Sequence, residues 1–251
     1  MIIEYHRPET LEEALKLLAR KTPETRPLGG GTVLNAPAAG RVAAVDLQAL
    51  GLSAIKSKGK TLHIGATTTL QSLMEAEGIP PALAAAIRHE AALTIRQTAT
   101  VAGALVSAGG RSPFATAMLA LDASLLLQPG DEEAGYGDLL ALRAGMLKGR
   151  LITEVRIPTQ ASLLYEYVAR SPADLPVVCI AMASWPGGRT RLAAGGWGAA
   201  PVLALDGKDA SGIVEGLESV LEGASDQWAT AEYRVEAGRA LARRGMAAVQ
   251  P

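Results

Sequence analysis

Two short segments carry the residue types from which a ligand site can be built. The first is RPLGGGTVL, residues 26–34, with three successive glycines followed by Thr32 and Val33. Residues without a Cβ let a chain adopt positive φ or let another group approach the main chain closely. The second is TATVAGALVSAGGRSPF, residues 98–114, again small and hydroxyl-bearing. Were the two to converge, their bared N–H groups would form concave surfaces for an anion, with the Thr32 and Thr100 hydroxyls as further donors. A diphosphate suits such a cradle. A triple glycine alone is equally well explained as a turn.

Other chemistry is poorly supported. GGGTVL leads towards a strand and lacks the G-x-G-x-x-G register that opens a helix, and no Walker lysine follows. His6, His63 and His89 stand far apart without metal-ligand spacing, and no nucleophile elbow is present. Cys179, the single cysteine, lies in an apolar strand pattern and reads as an inert thiol. One cysteine excludes an internal disulfide and any iron–sulfur cluster held by this chain's thiolates alone. Arg111 is a candidate phosphate contact, though a loop arginine needs no such role.

The elements that must position these segments follow from periodicity. ETLEEALKLL puts Leu11, Ala14, Leu15 and Leu18 on one helical face, with Thr10 and Glu13 as a capping box. RVAAVDL reads as a strand buried on both faces, TLHIG as an alternating strand, and PALAAAIRHEAA as a helix opened by Pro81. ATAMLALDA reads as a helix and SLLLQ as a strand, PGDEEAGYGD as a loop, and LITEVRIP as a strand at the edge of a unit. Beyond it come LLYEYVAR, VVCIAMASW and RTRLAAGGW, then helices over about 209–223 and 228–245. Strands followed by helices predict an α+β unit whose antiparallel sheet is covered on one face. A boundary is expected near 158, with smaller lobes meeting near residue 58.

Composition narrows the partners. The 251 residues include 24 basic and 25 acidic side chains, a net charge of −1 that provides no field for nucleic acid. No apolar run reaches the roughly 18 residues of a membrane span, and no leader pattern opens the chain, so a cytoplasmic location is expected.

Order and spacing resemble the FAD-binding medium subunits of molybdenum hydroxylases, such as those of carbon monoxide dehydrogenase, and the matching domain of xanthine dehydrogenase. The resemblance runs through YHRPETLEEALKLL, RPLGGGTVL, LHIGATTTLQSL, IRQTATVAGALVSA, LALDASLLL, LITEVRIP and ARSPADLPVVCIAMA. It implies an α+β chain: a PCMH-type FAD-binding domain over 1–158, with α/β lobes at about 1–57 and 58–158, and a C-terminal domain over 159–251 with a three-stranded antiparallel sheet and helices. It places the FAD pyrophosphate on Leu28, Gly29, Gly30, Gly31, Thr32 and Val33, ahead of Leu34, and on Thr100, Val101, Ala102, Gly103 and Ala104. A bulky residue at Gly30 is then expected to abolish flavin uptake while sparing the fold.

The match departs from the family pattern at several positions. Ala102 replaces a glycine, Val33 and Ala104 lack the usual polar groups, Ser112 and Pro113 stand where an aspartate is expected, and Leu175 replaces a common aromatic. Two readings follow. One is an oxidoreductase subunit carrying electrons from iron–sulfur clusters to FAD, partnered by a molybdopterin large subunit and a 2Fe-2S small subunit. The other is a degenerate relative that acts as a structural or assembly subunit.

Overall fold

A computed structural model describes residues 1–34 and 40–249. The chain begins β1 (Ile2–His6), α1 (Leu11–Leu18), β2 (Thr25–Leu28), β3 (Val42–Asp46), β4 (Ile55–Lys58) and β5 (Thr61–Gly65). Helices α2 (Leu70–Met74), α3 (Pro81–Glu90), α4 (Leu93–Arg96), α5 (Val101–Ser107) and α6 (Pro113–Ala120) follow. Then come β6 (Ser124–Gln128), β7 (Glu132–Gly135), α7 (Tyr136–Met146), β8 (Leu151–Pro158) and β9 (Ser162–Val168). The chain closes with β10 (Val178–Ser184), β11 (Thr190–Gly195), β12 (Val202–Gly207), α8 (Ile213–Leu221) and α9 (Ala231–Val249).

These elements form two compact units. The first comprises residues 1–76, 93–107 and 124–157, and the second 77–92, 108–123 and 158–251. The last change of unit falls between residues 157 and 158. Residues 77–92 and 108–123, expected in the N-terminal domain, nevertheless belong with the C-terminal part.

The first unit holds a three-stranded parallel sheet ordered β1-β3-β2 and a five-stranded sheet ordered β4-β5-β8-β6-β7. Central β3 is buried along its whole length, as its unbroken apolar run requires. Helix α1 starts where Thr10 accepts from the Glu13 N–H at 3.2 Å, and packs Ala14 and Leu18 against Val45, Leu47 and Leu151. Strand β8 alternates as its sequence does but lies between β5 and β6, so it is interior and not an edge. Strand β4 already belongs to the larger sheet, which moves the border between the lobes to before residue 55. The expected loop after β6 contains strand β7 and the start of α7; pairing with β6 overrides its weak strand propensity.

The second unit is built on an antiparallel sheet of four strands, not three, ordered β12-β11-β10-β9. The short VLALDG run after Pro201 supplies the fourth. Strand β10 is buried on both faces. Val178, Ile180 and Met182 pack with Ile213, Leu217, Leu221 and Leu241 of α8 and α9. Cys179 points the other way, its thiol 3.7 Å from Thr116 of the wholly buried α6. This second cover corrects the expectation of a sheet shielded on one face, and it shows why 77–92 and 108–123 join this unit. Arg234, fully buried, ties α9 down by donating to the carbonyls of Val177, Ala224, Ala229 and Gly196 and to Asp226 Oδ1.

Candidate functional site

Strand β2 ends at Leu28, whose carbonyl accepts from the Leu47 N–H at 3.0 Å, and the chain leaves the parallel sheet at its carboxyl end. The carboxyl end of parallel strands is the usual place for a ligand. Here the glycine turn meets the second segment within the first unit. A Cβ on Gly29 would lie 2.5 Å from Thr100 Oγ1, and one on Gly30 would lie 1.6 Å from the Thr98 carbonyl oxygen. Those two glycines are therefore demanded by another stretch of chain. Gly31 is demanded by its own backbone, with φ at 71°. An antiparallel Thr69–Thr100 bridge holds the second turn in place through two backbone bonds, Leu70 N to Ala99 O at 2.9 Å and Val101 N to Thr68 O at 2.8 Å.

The two turns differ in what they offer. Among the described residues, none accepts a hydrogen bond from the backbone N–H groups of Gly29, Gly30, Gly31, Thr32, Val33 or Leu34. In the second turn the amides are spent. Val101 donates to Thr68, Ala102 to Ala66 at 3.2 Å, Ala104 to Thr100 at 2.8 Å, and Gly103 to Thr100 Oγ1 at 3.2 Å. The expectation that both segments present bare amides is thus corrected for Val101, Ala102, Gly103 and Ala104. Local helix formation in α5 and pairing with residues 66–68 consume those donors.

Thr100 remains available. Its hydroxyl oxygen accepts from Gly103, while its hydroxyl proton reaches no acceptor among the described residues. Gly103 must stay bare for this, since its Cβ would come 2.8 Å from that oxygen. Ala102 sits within α5, where a methyl carries no positive-φ penalty, so its departure from glycine is accommodated by the helix. Asp46 ends β3 in register with Leu28, but its carboxylate is engaged by the Tyr5 hydroxyl and the Gln48 N–H. No carboxylate occurs in residues 28–34 or 100–104. Unspent donors beside a carboxylate that is already engaged fit a diphosphate.

Other residues singled out by sequence take structural roles. Ser112 caps α6 by accepting from Ala115 N, and its own hydroxyl donates to Glu90, which also accepts from Phe114 N. Burial raises the Glu90 pKa against the pull of those two donors. Arg111 is turned to the carbonyls of Leu175 and Pro176. Cys179 is fully buried and its thiol is pushed up to about 12, chiefly by burial, which makes it inert. Sequence reasoning passed over Thr68, whose buried hydroxyl has no partner among the described residues and whose carbonyl holds Val101. The TTT run at 67–69 was the only available signal.

A family model described as the FAD binding domain in molybdopterin dehydrogenase matches residues 1–160. The uncharacterized protein YgfM of Escherichia coli K12 is 33% identical over 186 residues, covering 73% of this chain and 70% of its own. The carbon monoxide dehydrogenase medium chain of Afipia carboxidovorans is 28% identical over 278 aligned positions, covering 97% and 95%. In fold the chain resembles a quinoline 2-oxidoreductase structure from Pseudomonas putida 86, with TM-score 0.77, 21% identity, and coverage of 97% and 95%. It also resembles a carbon monoxide dehydrogenase structure from Hydrogenophaga pseudoflava, with TM-score 0.79, 19% identity, and coverage of 97% and 96%.

Proposed function

The chain belongs to the FAD-binding family of the molybdopterin dehydrogenases, and on that premise we propose that it is the flavin-carrying electron-transfer subunit of a molybdenum hydroxylase. FAD is the family's cofactor. The observation that carries the reading is the meeting of the Gly29–Gly31 turn with Thr100, where among the described residues the turn's N–H groups and the Thr100 hydroxyl proton have no acceptor.

In this reading the amides of Gly29 through Leu34 hold the pyrophosphate, and the Thr100 hydroxyl adds one donor from across the contact. Each hydrogen bond to a charged oxygen contributes about 1.5–3 kcal/mol, so several suffice without an arginine clamp. Leu28 anchors the turn to the sheet. Val101, Ala102, Gly103 and Ala104 act by placing Thr100, not as main-chain donors. Bound FAD supplies the redox chemistry, so no side chain here has to serve as acid, base or nucleophile. Electrons would come from the iron–sulfur clusters of a small subunit and, before them, from a molybdopterin large subunit. The name of the relative from Afipia, a medium chain, supports such partners.

The test is the visible spectrum of the purified chain before and after FAD addition and desalting. Retained flavin absorbance supports the proposal. A colourless chain that also leaves FAD fluorescence unquenched refutes it and makes the protein a scaffold of the same fold.

A further inference from the structure

The second unit gathers two guanidinium groups on one indole. The Cζ atoms of Arg111 and Arg170 each lie 4.5 Å from the Trp228 ring centroid. A single exposed arginine on a tryptophan is ordinary cation–π stacking. Two on the same ring bring like charges together, which costs energy unless something offsets it. Asp174 offsets one of them, its carboxylate 3.3 Å from Arg170 Nε. Arg111 has no carboxylate within ion-pair distance among the described residues. It uses Nε and one terminal nitrogen on the carbonyls of Pro176 and Leu175. Its other terminal nitrogen, and both of Arg170's, have no described hydrogen-bond partner.

The arrangement is held from behind. Asp226 Oδ1 accepts from the Trp228 N–H at 2.8 Å and the Ala229 N–H at 3.2 Å, and is itself held at 2.8 Å by the fully buried Arg234. The carbonyls of residues 174–176 are all engaged: His89 Nε2 donates to Asp174 O at 2.7 Å, and Arg111 takes the next two. With Nε2 as donor, a neutral His89 accepts the Tyr165 hydroxyl at Nδ1, 2.8 Å away. Its ring packs 4.1 Å from that of Tyr167. Tyr167, Leu175 and Trp228 are exposed apolar side chains beside the two arginines, so the guanidinium groups are open to a ligand from solvent.

We propose that Arg111 and Arg170, fixed on Trp228, form a binding site for the phosphate or carboxylate group of a small molecule. Each guanidinium carbon lies within cation–π distance of the indole, and the N–H groups not taken by the carbonyls of Pro176 and Leu175 or by Asp174 are the ones offered to an oxyanion. The inference is independent of the flavin reading, because none of these residues belongs to the glycine turn or to α5.

The test is a tryptophan-fluorescence titration of the full chain with inorganic pyrophosphate and, separately, citrate, against sodium chloride at matched ionic strength. A saturable change absent from Trp228→Phe is expected. It should weaken about tenfold in Arg170→Gln, which loses one charge-assisted contact. Among the described residues Arg170 meets only partly exposed Asp174 and the Trp228 ring, so that variant should keep its fold, whereas Arg111→Gln also frees two carbonyls and must be paired with a melting curve. Tighter pyrophosphate binding identifies a phosphate ligand, and tighter citrate binding a carboxylate one. Thr100→Val should leave this signal unchanged while weakening FAD, which separates the two sites. No saturable change with either anion, or equal affinity in Arg170→Gln, overturns the proposal.

Discussion

Replacing Thr100 by valine removes one hydroxyl at nearly constant shape, and the structure predicts two separable losses. The first is local. Gly103 N donates to Thr100 Oγ1 at 3.2 Å and would lose its acceptor at the start of α5. Loss of such a cap costs about 1 kcal/mol, within a range of about 0.5–2. For a unit of this size that is a Tm decrease of about 2–4 °C. The second is in the ligand. The Thr100 hydroxyl proton has no acceptor among the described residues, and Oγ1 lies 2.5 Å from where a Gly29 Cβ would be, so it stands beside the unspent amides. One charge-assisted hydrogen bond of about 1.5–3 kcal/mol corresponds to a Kd about 10- to 150-fold weaker. FAD fluorescence quenching on the apo chain gives the affinity, and a melting curve in the same buffer gives the stability. Thr100→Ser keeps the hydroxyl and should recover most of both. The argument fails if Thr100→Val melts lower as predicted yet binds FAD within about twofold of the parent, since about 0.4 kcal/mol is too little for a hydrogen bond to phosphate.

Gly30→Ala should disrupt the turn itself: its Cβ would sit 1.6 Å from the Thr98 carbonyl oxygen and 3.1 Å from Ala99 N, both backbone atoms that cannot swing aside. A loss of about 1–3 kcal/mol or more in apo stability is expected, and an unchanged urea midpoint would contradict the packing. This reverses the expectation that Gly30 serves only the cofactor and could be filled without harm to the fold. Gly31→Ala, at φ 71°, should cost about 1–2 kcal/mol through backbone strain, read from the same denaturation curves. Glu90→Gln should stabilise the chain with a pH signature. Burial raises the folded pKa of Glu90 above its unfolded value, so its ionisation erodes stability as pH rises through the folded pKa. The amide keeps an acceptor for Ser112 and Phe114. The Tm gain should therefore be largest above the folded pKa of Glu90 and shrink as pH falls below its unfolded value; a constant gain would assign the effect to packing. Arg234→Met should cost about 3–5 kcal/mol, because it strands Asp226 and four carbonyls, and an intact melting transition in Arg234→Met would show that water satisfies them instead.

Much of the local structure was legible from residue patterns. The Thr10–Glu13 cap, the doubly buried β3, the alternation of β8 and the inert Cys179 all follow from periodicity and residue type, which report a strand's faces or a helix's stripe without knowledge of its neighbours. The fourth strand of the second sheet escaped notice because VLALDG is short and partly exposed. Its pairing with β11 is what makes it a strand. Strand β7, rich in glutamate and with poor intrinsic propensity, is likewise made by its partner β6.

What residue types determined by themselves was the inventory: a near-neutral α+β chain with two glycine-bearing, hydroxyl-bearing turns. Only tertiary structure decided how those turns divide the work. Gly29 and Gly30 are small because Thr98 and Thr100 press on them, and Gly31 because of its φ. Among the described residues the first turn's amides have no acceptor, while residues 66–68 and helix α5 use up those of the second, leaving its hydroxyl. The reason is that a missing Cβ records only that space is needed, whereas which group fills the space, and which N–H is already satisfied, depends on partners distant in sequence.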